Sequence, residues 1–171
     1  DEAELEKVLF NLRSNAFKFT PSEGQVTIRV NTVTQAECEL LPHFPAQYSS
    51  ILIEAGYLFI EVIDTGKGFS EQEAEKIFEP FYRSQEDIHR QISGTGIGLS
   101  LTRSIILQHN GCIWTESSET EGTRFMFLLP DTEKQEEGEN ESPVLSKSAE
   151  ISKKFDLLVE ETQNKNKPVS Y

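Results

Sequence analysis

Asn11, Asn15 and Lys18 recur at the i, i+4, i+7 spacing of one helix face. Amide oxygens are hard, neutral ligands suited to Mg²⁺ in a site otherwise filled by water and phosphate oxygens, and an ammonium offers the same phosphates a positive point charge. Two glycine-punctuated stretches could complete such a site. "VIDTGKGF" ends an apolar run in Asp64, followed by Gly66 and Gly68. An ionised carboxylate only accepts hydrogen bonds, so it suits a ligand amino group such as the exocyclic amine of adenine, while the glycines let backbone approach a flat ligand. "GTGIGLS" interleaves Gly94, Gly96 and Gly98 with Thr95, Ile97 and Leu99 and leads into a helix, which turns successive N–H groups toward a phosphate. It is neither a Walker loop, since no Gly-Lys-Ser/Thr follows, nor a dinucleotide-binding loop by spacing. Between the two, "IFEPFYR" sets Phe78 and Phe81 around a proline, which reads as core packing, and puts Arg83 within reach of a phosphate. Each piece alone has a plainer reading: a solvated helix flank, an Asp-x-Gly turn, or a hinge.

The first of these pieces needs a helix to hold it. Leu5, Val8, Leu9, Leu12, Ala16 and Phe19 form an apolar stripe over residues 3–19, which Thr20 and Pro21 stop. At about 100° per residue, the two asparagines and the lysine span a fan of about 60°, centred about 100° from that stripe. They line the flank of the buried face, where a helix walls a cleft. Downstream, residues 25–33 alternate as a strand with one wet face, and 57–64 form a second strand. Residues 71–78 read as a short helix capped by Ser70, with Glu73 at the capping-box position. "GIGLSLTRSIILQHNG", residues 96–111, reads as a longer helix closed by Asn110 and Gly111, and 112–118 with 123–130 as a hairpin. Antiparallel strands with helices segregated to one face predict a two-layer α/β sandwich. Residues 34–57 exceed an ordinary strand connection and read as an extended hairpin or an excursion. Residues 131–171 read as a polar linker, with a short helix at "ISKKFDLLVEE".

The 171 residues suffice for one good core. A net charge of −13 argues against general binding to nucleic acid or an anionic membrane. Much of that excess is remote from the glycine loops: "DTEKQEEGENES" carries six acids against one lysine, and a Debye length of about 8 Å shields a local anion site from it. Cys38 and Cys112 offer neither a disulfide framework nor metal-ligand spacing, which fits a reducing cytosol. No run has the length of a membrane span and the N-terminus is no signal peptide, so a cytoplasmic chain without direct membrane contact is expected.

The ordered set "NLRSNAFKFTP", "DTGKG", "IFEPFYR", "GTGIGLSL" and "EGTRFMFLLP" resembles the N, G1, F and G2 boxes and closing strand of the catalytic domain of sensor histidine kinases, within the GHKL superfamily. The resemblance covers residues 1–130 and implies the Bergerat ATP-binding fold, a mixed sheet backed by helices. It implies ATP and Mg²⁺ as ligands, with Asn15 the main metal ligand, Asn11 supporting metal and phosphates, and Lys18 on phosphate. It also implies Phe19 near the adenine, Asp64 on the adenine amine with Thr123 helping through water, Arg83 near the terminal phosphate, and residues 84–93 as a lid.

In the hydrolase branch of the superfamily, which includes gyrase B, heat-shock protein 90 and MutL, a glutamate that activates water stands where this chain has Asn11. An amide cannot take that proton, so the resemblance implies transfer to a protein histidine in two-component signalling. His43, His89 and His109 do not precede an acidic residue as the family's acceptor does. The acceptor is therefore expected on a dimerisation domain upstream, in a homodimeric, membrane-anchored parent that passes phosphate to a response regulator. The acidic tail suits a hybrid kinase in which a receiver domain follows. Two other readings stay open: a nucleotide-sensing interaction module without catalysis, and a GHKL serine kinase.

Overall fold

The first helix forms as its apolar spacing requires. In a computed structural model, which describes residues 2–89 and 93–131, α1 (Glu2–Phe19) buries Val8, Leu12 and Ala16. It ends where the Thr20 N–H and hydroxyl both donate to the Ala16 carbonyl at 3.0 and 2.6 Å, ahead of Pro21. The other elements follow as β1 (Val26–Thr34), α2 (Gln35–Cys38), β2 (Gly56–Asp64), α3 (Gln85–His89), α4 (Gly98–Gln108), β3 (Cys112–Ser118) and β4 (Gly122–Pro130). Asn110 closes α4 in the left-handed region, at φ 56°.

The strands make a four-stranded sheet in the order β1-β2-β4-β3. Every pairing is antiparallel, so the α/β architecture read from the sequence holds, with an antiparallel sheet where the resemblance implied a mixed one. Only β3 and β4 are joined by a tight hairpin; β1 and β2 pair across the long excursion between them, and β4 lies between β2 and β3. The face built by Leu58, Ile60, Val62, Ile113, Phe125, Phe127 and Leu129 takes α1 and α4, through Val8, Leu12, Ile105 and Ile106. Each such side chain contributes about 1.5–3 kcal/mol by leaving water. This packing fixes α1 across the sheet and leaves its Asn/Lys flank beside the C-terminal end of β2.

Residues 34–57 form no extended hairpin. They fold as α2 and a 3₁₀ turn (Ala46–Ile51) onto the opposite face of the sheet. There Cys38, Tyr48 and Leu52 pack on Tyr57, Phe59, Cys112, Trp114, Met126 and Leu128. The single core expected from chain length is thus two clusters, one on each face, because odd-numbered positions of β2 are as apolar as the even ones. Trp114 is the anchor: its indole N–H donates to the Pro42 carbonyl at 3.0 Å, Phe44 meets it edge-on at 5.4 Å, and Phe59 stacks on it at 6.0 Å. Tyr48 donates its hydroxyl to the Ile113 carbonyl of the edge strand β3 at 3.2 Å.

Two local expectations are corrected. Residues 71–78 are not an α-helix but two 3₁₀ turns, Glu71–Glu73 and Lys76–Phe78. The Ser70/Glu73 capping box is present, yet Glu73 also accepts the Tyr82 hydroxyl at 2.9 Å, which draws the chain back, and Pro80 forbids continuation. Phe78 is buried against Phe125, but Phe81 is 73% exposed. The Phe81 N–H donates to the Gly96 carbonyl at 2.9 Å, which holds Phe81 at φ 66° and turns its ring outward. The linker and short helix expected beyond Asp131 lie outside the described residues, as do residues 90–92 of the expected lid.

The far-face layer predicts a specific weakness. Trp114→Ala should cost about 3–5 kcal/mol in urea unfolding, and it should raise amide exchange across residues 35–55 before it does so in α1. Uniform loss of protection over the whole chain would show instead that the excursion is not separately anchored.

Candidate functional site

The flank of α1 is held against α4 by its first asparagine. Asn11 donates its amide N–H to the buried Thr102 hydroxyl at 2.8 Å. A methyl group at Gly98 would lie 2.2 Å from the Asn11 amide oxygen, so the first turn of α4 rests directly on this side chain. One turn on, Asn15 is half-buried and its amide makes no hydrogen bond among the described residues. Further along, the Lys18 ammonium stands 4.9 Å from the centre of the Phe19 ring, and a methyl at Gly94 would meet it at 2.9 Å. Partial desolvation lowers the Lys18 pKa from its ordinary value; Asp87 opposes that shift and Arg83 adds to it. Asn11, Lys18 and Arg83, with Gly94 and Gly98, are therefore neighbours although up to 87 residues separate them.

Asp64 closes β2 directly opposite Thr123 of β4. Its carboxyl is almost fully buried and accepts the Gly66 N–H at 2.8 Å together with the Thr123 backbone N–H. Burial raises its pKa, and the two N–H donors pull it part of the way back. A methyl at Gly66 would lie 2.6 Å from the Phe19 carbonyl oxygen, which brings the loop after β2 onto the end of α1. Gly122, at φ +90°, allows the hairpin turn to approach the Asp64 carbonyl, where a methyl would come within 2.0 Å. Thr123 is buried, its hydroxyl 3.1 Å from that of Ser117. Phe19 is half-buried between the two loops, with Lys67 as well as Lys18 over its ring.

The remaining residues divide. Gly96 lies against the backbone of Phe81 and Tyr82, tying the second glycine loop to the 77–83 segment. Thr95 and Ile97 are exposed, and Leu99 packs against the core below the loop. Gly68 faces away from the cleft: a methyl there would strike the Ser118 carbonyl at 2.0 Å, so it seats the loop on the β3–β4 turn. Of the expected lid, Ser84 accepts the Asp87 N–H at 3.1 Å and starts α3. Three neighbours escaped sequence reasoning: Thr102, Lys67 and Asp87. A buried threonine four residues after Gly98 is a weak signal in hindsight, whereas the Lys67–Asp87 pair spans a loop and leaves none. Among the described residues no group of three or more His, Cys, Asp or Glu could hold a metal ion.

Comparisons with known proteins agree on one relationship. The family model for histidine kinase-, DNA gyrase B-, and HSP90-like ATPases matches residues 1–133. The sensor histidine kinase WalK of Bacillus subtilis is 32% identical over 142 residues, 83% of this chain and 20% of WalK. The sensor kinase CckA of Brucella abortus is 36% identical over 157 residues, 92% of this chain and 15% of CckA. The chain thus spans a fifth or less of these two curated relatives. Among solved structures, the nucleotide-free catalytic domain of histidine kinase ThkA superposes with a TM-score of 0.55 at 30% identity, covering 76% of this chain and 68% of ThkA's. Full-length ShkA in complex with AMPPNP also gives 0.55, at 25% identity, covering 76% of this chain and 22% of ShkA's.

Burial of Asp64 has a consequence for its titration. Because its pKa is raised in the fold, the unfolded chain gives up this proton first, so the stability this group contributes at low pH is lost as pH rises through its folded value. In a carboxyl-carbon NMR titration Asp64 should ionise at higher pH in the folded chain than in the urea-unfolded chain, because burial outweighs its two N–H donors. An Asp64 that ionises at lower pH when folded would refute the buried placement.

Proposed function

We propose, on the premise that the chain belongs to the histidine kinase-, DNA gyrase B- and HSP90-like ATPase family and has sensor histidine kinases as relatives, that it is the ATP-binding catalytic domain of such a kinase. In this reading it binds Mg-ATP and donates the γ-phosphoryl group to a histidine on a dimerisation domain. The observation that carries the reading is the convergence on one edge of α1: Asn11 touches Gly98, Lys18 touches Gly94, and the Phe19 carbonyl touches Gly66 beside Asp64.

The roles follow from donor and acceptor chemistry. Asp64, fixed by two backbone N–H groups, accepts the adenine amine, and Thr123 supports it from the neighbouring strand. Phe19 and the backbone at Gly66 border the base, and Gly68 supports that loop from the β3–β4 turn. The Gly94, Thr95, Gly96, Ile97, Gly98 and Leu99 segment turns backbone N–H groups toward the phosphates at the start of α4. Lys18 and Arg83 hold the outer phosphates. The Asn15 amide, without a hydrogen-bond partner among the described residues, and the Asn11 oxygen suit Mg²⁺, which when bound would neutralise charge on the phosphate chain. Asn11 is a neutral amide tied to Thr102, so no general base stands at its position to activate water. Positioning then favours a protein nucleophile. His43, His89 and His109 each lack the following acidic residue that marks the family's acceptor, so the acceptor lies on another domain in this reading.

Residues 1–130 are the catalytic domain in this reading, 84–93 its lid, and 131–171 a linker toward a receiver domain. The parent is a homodimeric sensor with this part in the cytosol, and its product phosphate passes to a response regulator.

With labelled ATP and a histidine-kinase dimerisation domain supplied in trans, the acceptor should gain acid-labile, alkali-stable label. Asn15→Ala should reduce transfer by about 10–100-fold, the range for weakened metal sites. Acid-stable label would indicate a serine kinase, nucleotide binding without transfer a sensing module, and brisk hydrolysis a water-activating ATPase; each would overturn the reading.

A further inference from the structure

Lys67 projects from between Gly66 and Gly68 to within 5.6 Å of the centre of the Phe19 ring, the ring that also carries Lys18 at 4.9 Å. Its ammonium meets the Asp87 carboxylate of α3 at 2.5 Å, and the two side chains retain only 26% and 17% of their exposure. Asp87 also acts on Lys18, as does Arg83 with the opposite sign. Lys67 and Lys18 thus both face the Asp87 carboxylate, with Arg83 close enough to act on Lys18, in a chain of net charge −13. The other carboxylate that Asp87 faces, Glu73, is already taken by the Ser70 N–H and hydroxyl and the Tyr82 hydroxyl.

Such a cluster is poorly explained by stability. Desolvating an ion pair offsets most of its attraction, and a second ammonium held beside it adds repulsion. It is well explained if the cations serve an anion that is exchanged. A carboxylate and a phosphate accept the same charge-assisted hydrogen bonds from ammonium groups, and the phosphate brings more charge and more oxygens.

We propose that Lys67 is a further phosphate-binding residue of the nucleotide site, and that the Asp87 carboxylate holds the phosphate's place until nucleotide displaces it. The proposal deepens the nucleotide reading above and rests on it. Binding then exchanges one anion for another: the Lys67–Asp87 contact breaks, Asp87 moves into water, and Lys67 joins Lys18 on the polyphosphate. Asp87 is thereby a competitor that weakens nucleotide affinity, and Lys67 discriminates nucleotides from nucleosides.

Titration calorimetry of the full chain with Mg-ATP and with adenosine separates these claims. Asp87→Asn should tighten Mg-ATP by about threefold to tenfold, and Lys67→Gln should weaken it by about tenfold, both leaving adenosine within about twofold of the unsubstituted chain. In the double variant the gain from Asp87→Asn should shrink, because its main partner is gone. Unchanged or weaker Mg-ATP binding in Asp87→Asn, or unchanged binding in Lys67→Gln, would overturn the proposal. Adenosine binding reports that each variant is folded. If the unsubstituted chain takes up neither ligand, the nucleotide reading fails with it; if it binds both and the variants match it, only the exchange fails.

Discussion

The site depends on two places where no side chain fits. A methyl at Gly66 would collide with the Phe19 carbonyl and the Asp64 carboxylate, and one at Gly98 with the Asn11 amide. These contacts let the loop after β2 and the first turn of α4 close on the same helix end from two sides. α1 is meanwhile clamped on the sheet by Val8, Leu12 and Ala16, so its flank cannot retreat. The backbone positions that carry the polar residues are then held at a fixed spacing by close backbone contacts and core packing.

Electrostatics follows from that geometry. Asp64 is a buried carboxylate whose burial raises its pKa, and it is kept by N–H groups from its own loop and from β4. A few residues away the field has the opposite sign, from Lys18, Lys67 and Arg83, although the chain as a whole is strongly acidic. The two signs sit at the two ends of Phe19, which matches a ligand with an amine at one end and phosphates at the other. Local groups decide such a site because distant charge is screened and nearby, half-buried charge is not.

Much of this was legible in the sequence. The stripe from Leu5 to Phe19 gave α1 and its flank, alternation gave β1, a continuous apolar run gave β2, and glycine placement gave both loops. What was hidden depended on partners distant along the chain. Phe81 reads as core by composition, but its N–H is captured by Gly96, and that bond turns the ring to solvent. Residues 71–78 carry a helix cap, yet the Tyr82 hydroxyl bends the segment into 3₁₀ turns. The excursion at 34–57 shows no clear periodicity because it is shaped by the far face of the sheet, above all Trp114. The partners of Asn11 and Lys67, Thr102 and Asp87, lie 91 and 20 residues away from them.

The most direct test of the convergence is an amide NMR map of the chain titrated with Mg²⁺ and a non-hydrolysable ATP analogue. The account predicts saturable shifts confined to residues 11–19, 64–68 and 94–99, with the far face around Cys38, Tyr48 and Trp114 unmoved. Shifts centred on that far face, or none at saturating nucleotide, would contradict it.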